Sequence, residues 1–118
     1  MPALKLAVVA GEPSGDILGA GLVQEIARQT GQQPELIGVG GERLIAQGLD
    51  SLFDYSELSL IGFSAVIARL PKLVMRISQT ANAIIAARPD CLLIIDSPDF
   101  SHRVARKVRK ALPDLKIV

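Results

Sequence analysis

The sequence predicts an α/β fold, a parallel sheet with helices on both faces, and two observations carry that expectation. Apolar runs of strand length alternate with longer stretches of helical periodicity along the whole chain, the order that builds β-α-β units with right-handed crossovers. Composition agrees: 49% of the 118 residues are hydrophobic but only 3% are aromatic, with no Trp. The core must then be filled by Leu, Ile, Val and Ala, as in a parallel sheet covered on both sides. A chain of this length buries one modest core, so residues 1–118 are expected to form one domain.

The elements follow in order. Leu4 to Ala10 is the first strand; it holds only Lys5 among apolar residues, and no small-residue cleavage site closes a longer region, so it does not read as a signal peptide. Asp16 to Thr30 is a helix, with Ser14 or Asp16 available to cap it and Gly31 to end it in a left-handed conformation. Pro34 separates it from the strand Leu36 to Val39, and Glu42 to Gln47 is a short helix. A short segment around Leu58 to Ile61 precedes helical pieces from Phe63 to Arg88. In these, Leu73, Ile77, Ala81, Ile84 and Ile85 share one face and are expected to be core. Cys91 to Ile95 is a strand, Phe100 to Leu112 a helix stopped by Pro113, and a last strand begins at Leu115. The ending Leu115-Lys116-Ile117-Val118 reads as a strand cut short, so the sequence is expected to be a fragment of a longer protein; a terminal edge strand is the alternative.

Cys91 is the only cysteine, which excludes an intrachain disulfide, denies a zinc site its usual thiolates and suits a reducing compartment. The net charge of +1 hides an asymmetry: residues 1–57 carry eight acids against three bases, and residues 58–118 four acids against ten bases. An anionic partner and an ordinary spread of solvated charge both produce such a pattern.

Four features carry chemistry. Gly11-Glu12-Pro13-Ser14-Gly15-Asp16 lies between the first strand and first helix, where an open α/β sheet presents its ligand crevice. It reads either as a backbone cradle for an anion or sugar hydroxyl, or as a capped turn in which Gly15 and Gly19 let the helix lie close to the sheet. It matches neither common nucleotide fingerprint, and Gly40-Gly41 stands where a ribose-binding acid is expected. Those two glycines either let a ligand approach the backbone or simply turn the chain into the next helix. In Ile94-Ile95-Asp96-Ser97-Pro98-Asp99-Phe100, Asp96 ends an apolar strand and faces the same crevice, where a carboxylate can take a proton from an attacking hydroxyl. Asp99 fits the helix cap better, leaving Asp96 as the catalytic candidate. The stretch 58–89 holds four bases and no acid, and its apolar residues exceed one buried stripe. Phe63, Val66, Ile67 and Leu70, with Arg69, Lys72 and Arg76 at headgroup level, suit an interfacial or acyl-binding surface; a helix buried on both sides is the alternative. Finally, the basic run from His102 to Lys110 reads as a solvated face complementing the helix dipole, and a lone His102 makes no metal site.

Taken together, the Ala10 to Ala20 motif, Gly38-Val39-Gly40-Gly41, Arg69-Leu70-Pro71 and Ile95 to Phe100 closely resemble the lipid-A-disaccharide synthase family, in order and spacing over the entire chain. The resemblance implies the Rossmann-like amino-terminal, acceptor-binding half of a two-domain GT-B glycosyltransferase that inverts at the anomeric carbon and needs no metal or other cofactor. It implies a UDP-2,3-diacylglucosamine donor, bound mainly by a carboxyl-terminal half absent here, and a 2,3-diacylglucosamine 1-phosphate acceptor. These are joined by a β(1→6) linkage with release of UDP, so this half alone is expected to be inactive. Asp96 matches the family's general base; Glu12, Ser14, Gly15, Gly40 and Gly41 would line the cleft. Acylated substrates imply a cytoplasmic protein held peripherally on the inner membrane, with no nucleic-acid partner. Two other readings stand beside it: a receiver-like domain phosphorylated on Asp96, which would want a pair of acids after the first strand, and a binding module without catalysis.

Overall fold

The computed structural model describes residues 3–63 and 70–118. Their order is β1 (Lys5–Val9), α1 (Pro13–Thr30), β2 (Glu35–Val39), α2 (Glu42–Ala46), α3 (Ser56–Phe63), α4 (Leu70–Ala87), β3 (Cys91–Ile94), α5 (Pro98–Ala111) and β4 (Lys116–Ile117). The strands form one parallel sheet in the order β2-β1-β3-β4.

Alternation along the central strands divides the core. Leu6, Val8 and Ala10 of the first strand and Leu93 of β3 join Ala20 and Val23 of α1 and Leu44 of α2 on one face. Ala7, Val9 and Leu92 point the other way, against Ile77, Ala81 and Ile84 of α4 and Phe100, Val104 and Val108 of α5. Successive side chains of a strand leave opposite faces, so a strand with apolar residues at every position demands cover on both. The chain steps from β1 outward to β2, then back past β1 to β3 and on to β4. Crossovers of one hand in opposite directions place α1 on one face and α4 and α5 on the other.

Strand positions agree with the sequence reading to within a residue, and Leu73, Ile77, Ala81, Ile84 and Ile85 do face the core. Two local expectations fail. Helix α1 begins at Pro13, where a proline ring is already set at a helical φ, so neither Ser14 nor Asp16 is its cap. Glu12 holds the N-cap place without a side-chain bond. Likewise α5 starts at Pro98, leaving Asp99 inside the first turn and the N-cap place to Ser97. The segment around Leu58 to Ile61 is part of α3. The left-handed end of α1 is as expected: Gly31 has φ 74° and donates its amide to the Ala27 carbonyl at 2.9 Å.

Candidate functional site

The sheet order reverses between β1 and β3, so the loops leaving these two strands open a crevice at their carboxyl ends. Asp96 comes from one loop and Gly11 to Gly15 from the other. The Asp96 carboxylate accepts the Gly11 amide at 2.5 Å through Oδ1 and the Glu12 amide at 3.1 Å through Oδ2. Two amides on two different oxygens fix the plane of the carboxylate. Each oxygen keeps a further lone pair, and the residue is only half-buried. Gly15, one turn into α1, packs directly on this group: a Cβ there would collide with Asp96 Oδ2 and sit 2.8 Å from its Cγ. The first loop is therefore built around Asp96, while Glu12 and Ser14 are exposed beside it. Ser97, next in the chain, holds φ 53° and ψ 59°, a left-handed conformation that is strained for a side-chain-bearing residue and turns the chain sharply between Asp96 and α5.

A second carboxylate in the first motif has a different task. Asp16 is 3% exposed and reaches across to the start of α2. It accepts the amides of Gly41 at 2.8 Å, Arg43 at 2.9 Å and Leu44 at 3.1 Å. Those are the free donors of a helix amino terminus, satisfied here by a residue from another helix. Gly40 donates to Ser51 Oγ at 3.2 Å. A Cβ on Gly40 would lie 2.6 Å from Leu44 Cδ1, and one on Gly41 2.6 Å from Tyr55 Cζ, so both glycines serve close packing within the chain. Burial raises the Tyr55 phenol above its ordinary pKa, and the negative charges of Asp16, Glu42, Asp54 and Asp96 raise it further, keeping it protonated. Asp16, Ser97 and Tyr55 were not singled out as site residues. Ser97 left a signal in following Asp96 directly, and Asp16 in closing the first motif; Tyr55 left none.

A family model described as lipid-A-disaccharide synthetase matches residues 6–118. This chain belongs to the lipid-A-disaccharide synthase family. It is 50% identical over 117 residues to the lipid-A-disaccharide synthase of Nitrobacter winogradskyi, covering 99% of this chain and 30% of that protein. With the enzyme so named from Rhodopseudomonas palustris it shares 51% over 114 residues, 97% of this chain and 29% of the relative. For that of Pseudomonas aeruginosa the figures are 47% over 108 residues, 92% and 28%. The chain thus spans under a third of the length of these relatives.

Of the remaining residues named from the sequence, those that are described lie at the end of α3 and in the first turns of α4. Val66, Ile67 and Arg69 fall outside the described residues, and Phe63 ends α3. Leu70 is 52% exposed, as are Val74 at 56% and Met75 at 49%. Arg76, expected at headgroup level, is instead turned inward. Its guanidinium donates to both oxygens of Glu57, at 2.8 and 3.1 Å, and to Gln79, and stacks 4.6 Å from the centre of the Phe53 ring. Lys72 is half-exposed and pairs with the same Glu57 at 3.3 Å. Among the described residues no helix is long and apolar enough to cross a membrane.

Proposed function

We propose that this chain is the acceptor-binding half of an inverting glycosyltransferase of the GT-B class, independent of metal. It joins UDP-2,3-diacylglucosamine to 2,3-diacylglucosamine 1-phosphate through a β(1→6) linkage. Asp96 takes the proton of the acceptor's 6-hydroxyl as that oxygen attacks the donor's anomeric carbon, and UDP leaves from the opposite side. The observation that supports this most is the fixed Asp96 carboxylate at the sheet's reversal point, oriented by two amides with lone pairs to spare. Glu12, Ser14 and Gly15 line the cleft beside it, and Gly40 and Gly41 shape the neighbouring wall through the turn they form. Most donor contacts come from the part of the family's polypeptide beyond these residues.

Attachment is peripheral, on the cytoplasmic face of the inner membrane. Acylated substrates require it, and the exposed Leu70, Val74 and Met75 supply apolar area at the carboxyl end of the sheet, where α4 begins.

The test of catalysis is Asp96→Asn in a chimera joining this chain to the remaining segment of a complete relative. The amide keeps the shape and loses the basicity, so turnover should fall by about two orders of magnitude or more with the acceptor KM nearly unchanged. Turnover close to that of the unsubstituted chimera would remove Asp96 from the role of base.

A further inference from the structure

Peripheral docking needs cations at the lipid headgroups, and the structure engages those that α4 carries in its first turns. Arg76 is enclosed by Glu57, Gln79 and Phe53, and Lys72 shares the Glu57 carboxylate. The neighbouring helix is different. Arg103, Arg106, Lys107, Arg109 and Lys110 of α5 are all exposed, and Asp99 is the single acid on that helix. Among the described residues no carboxylate pairs with any of the five. Arg109 alone is committed to the backbone, donating to the Pro113 and Leu115 carbonyls at 2.6 Å each.

The relation of this basic face to the apolar one is fixed by a contact. Helices α4 and α5 pack side by side on one face of the sheet and run in the same direction, and Lys107 Nζ donates to Ser78 Oγ at 3.4 Å. One helical turn back from each partner stand Arg103 and Val74, since residues four apart share a helix face. Leu70 lies a further turn back along α4, and Met75 beside Val74. The exposed apolar side chains of α4 and the cations of α5 are therefore strips of one surface.

We propose that α4 and α5 together form a docking surface for an anionic lipid bilayer, in which α5 supplies the attraction to the headgroups and the first turns of α4 supply the apolar contact. The proposal deepens the peripheral attachment proposed above and rests on it. A dense cationic strip bordering exposed aliphatic side chains matches a surface of negative headgroups over acyl chains. The solvated-face reading of α5 expects the same charges with no such neighbour.

Sedimentation of the 118-residue chain with vesicles tests this, using phosphatidylcholine alone and phosphatidylcholine mixed with phosphatidylglycerol, at low and high salt. The expected result is strong binding to the mixed vesicles, weak binding to the neutral ones, and loss of the difference at high salt. Replacing Arg103, Arg106 and Lys107 with Gln should weaken binding to mixed vesicles on the order of a hundredfold at low salt. The pair Arg103→Gln and Arg106→Gln, which spares the Ser78 contact, should give a smaller loss in the same direction. Thermal melts should be unchanged, because these side chains are exposed. Equal binding to both vesicle types with no effect of either variant would overturn the role of α5 while leaving attachment intact. Binding to neither vesicle would overturn attachment and this inference together. Binding of a single-stranded RNA without binding of vesicles would assign the face to another polyanion and overturn the bilayer as its partner.

Discussion

Replacing Asp16 with Ala should destabilise the fold strongly. Three amides of α2 lose their acceptor. Those of Gly41 and Leu44 are buried, and each left unsatisfied costs about 1.5 kcal/mol; that of Arg43 is partly buried and regains water cheaply. The sum is about 3 kcal/mol, above the usual range for a single helix cap because one carboxylate serves three donors. Helix α2 has five residues and cannot persist on its own propensity. For a domain of this size the melting temperature should fall by about 10 °C. Asp16→Asn keeps the Oδ1 bonds to Gly41 and Leu44 but sets an amide NH2 against the Arg43 amide, so about half the loss is expected. Urea denaturation followed by circular dichroism measures both, and amide exchange at Gly41 and Leu44 should quicken in the Ala variant. A change below about 0.5 kcal/mol with unaltered exchange would show that water satisfies these amides and that Asp16 does not hold α2.

Two further outcomes follow from the same contacts. Gly15→Ala should push the Asp96 carboxylate from its amide partners; in the chimera, turnover should drop at least tenfold with a smaller effect on acceptor KM, and unchanged turnover would mean the loop yields without moving Asp96. Glu57→Gln should cost about 1 kcal/mol at neutral pH by breaking the clamp between α3 and α4. Arg76 beside it, and Lys72 to a lesser degree, hold the Glu57 carboxyl below its ordinary value, so this stabilisation is present above an unfolded pKa of about 4.3 and is lost as pH falls through the lower folded value. The gap between wild type and variant should therefore be flat from pH 7 to about 5 and close below about pH 4. A gap that stays constant to pH 3 would refute the charge pairing.

The strands and their two-sided burial were legible because both are periodic properties of short segments. Val8 and Val9, or Leu92 and Leu93, need only their adjacency to imply opposite faces. Asp96 was legible for the same reason, as the first polar residue after an apolar strand. What failed was set by partners distant in sequence. Nothing near Asp16 says that it caps a helix 25 residues away from it, and its position after Ser14-Gly15 suggests a local cap instead. Arg76 sits in a segment without acids, yet its partner Glu57 lies 19 residues earlier and is brought to it by the packing of α3 against α4. The helix starts were missed because Pro13 and Pro98 outrank the acids that follow them as initiators.

The two aspartates at the crevice differ in what remains of their hydrogen-bonding capacity, and that difference, more than proximity, separates chemistry from scaffold. Asp16 is almost fully enclosed and spends its oxygens on three amides; no substrate atom can reach it without opening α2. Asp96 spends two amides' worth, one on each oxygen, and is half-exposed where the two central strands diverge. Four acceptor sites on a carboxylate less two internal donors leave two for a ligand, enough to receive a hydroxyl proton while the group stays fixed. The same amide pair ties the loop after β1 to the loop after β3, so motion of Glu12 or Ser14 against Asp96 is restrained before any substrate arrives. Because α1 begins at the first loop and also carries Asp16, the orientation of Asp96 and the seating of α2 share one rigid element. Loss of the Asp16 cap should therefore raise the acceptor KM and lower turnover together, whereas Asp96→Asn should lower turnover alone. A kinetic split of that form in the chimera is the result expected of the proposed roles, Asp96 as base and Asp16 as a positioning residue; equal effects of the two substitutions on turnover and KM would refute it.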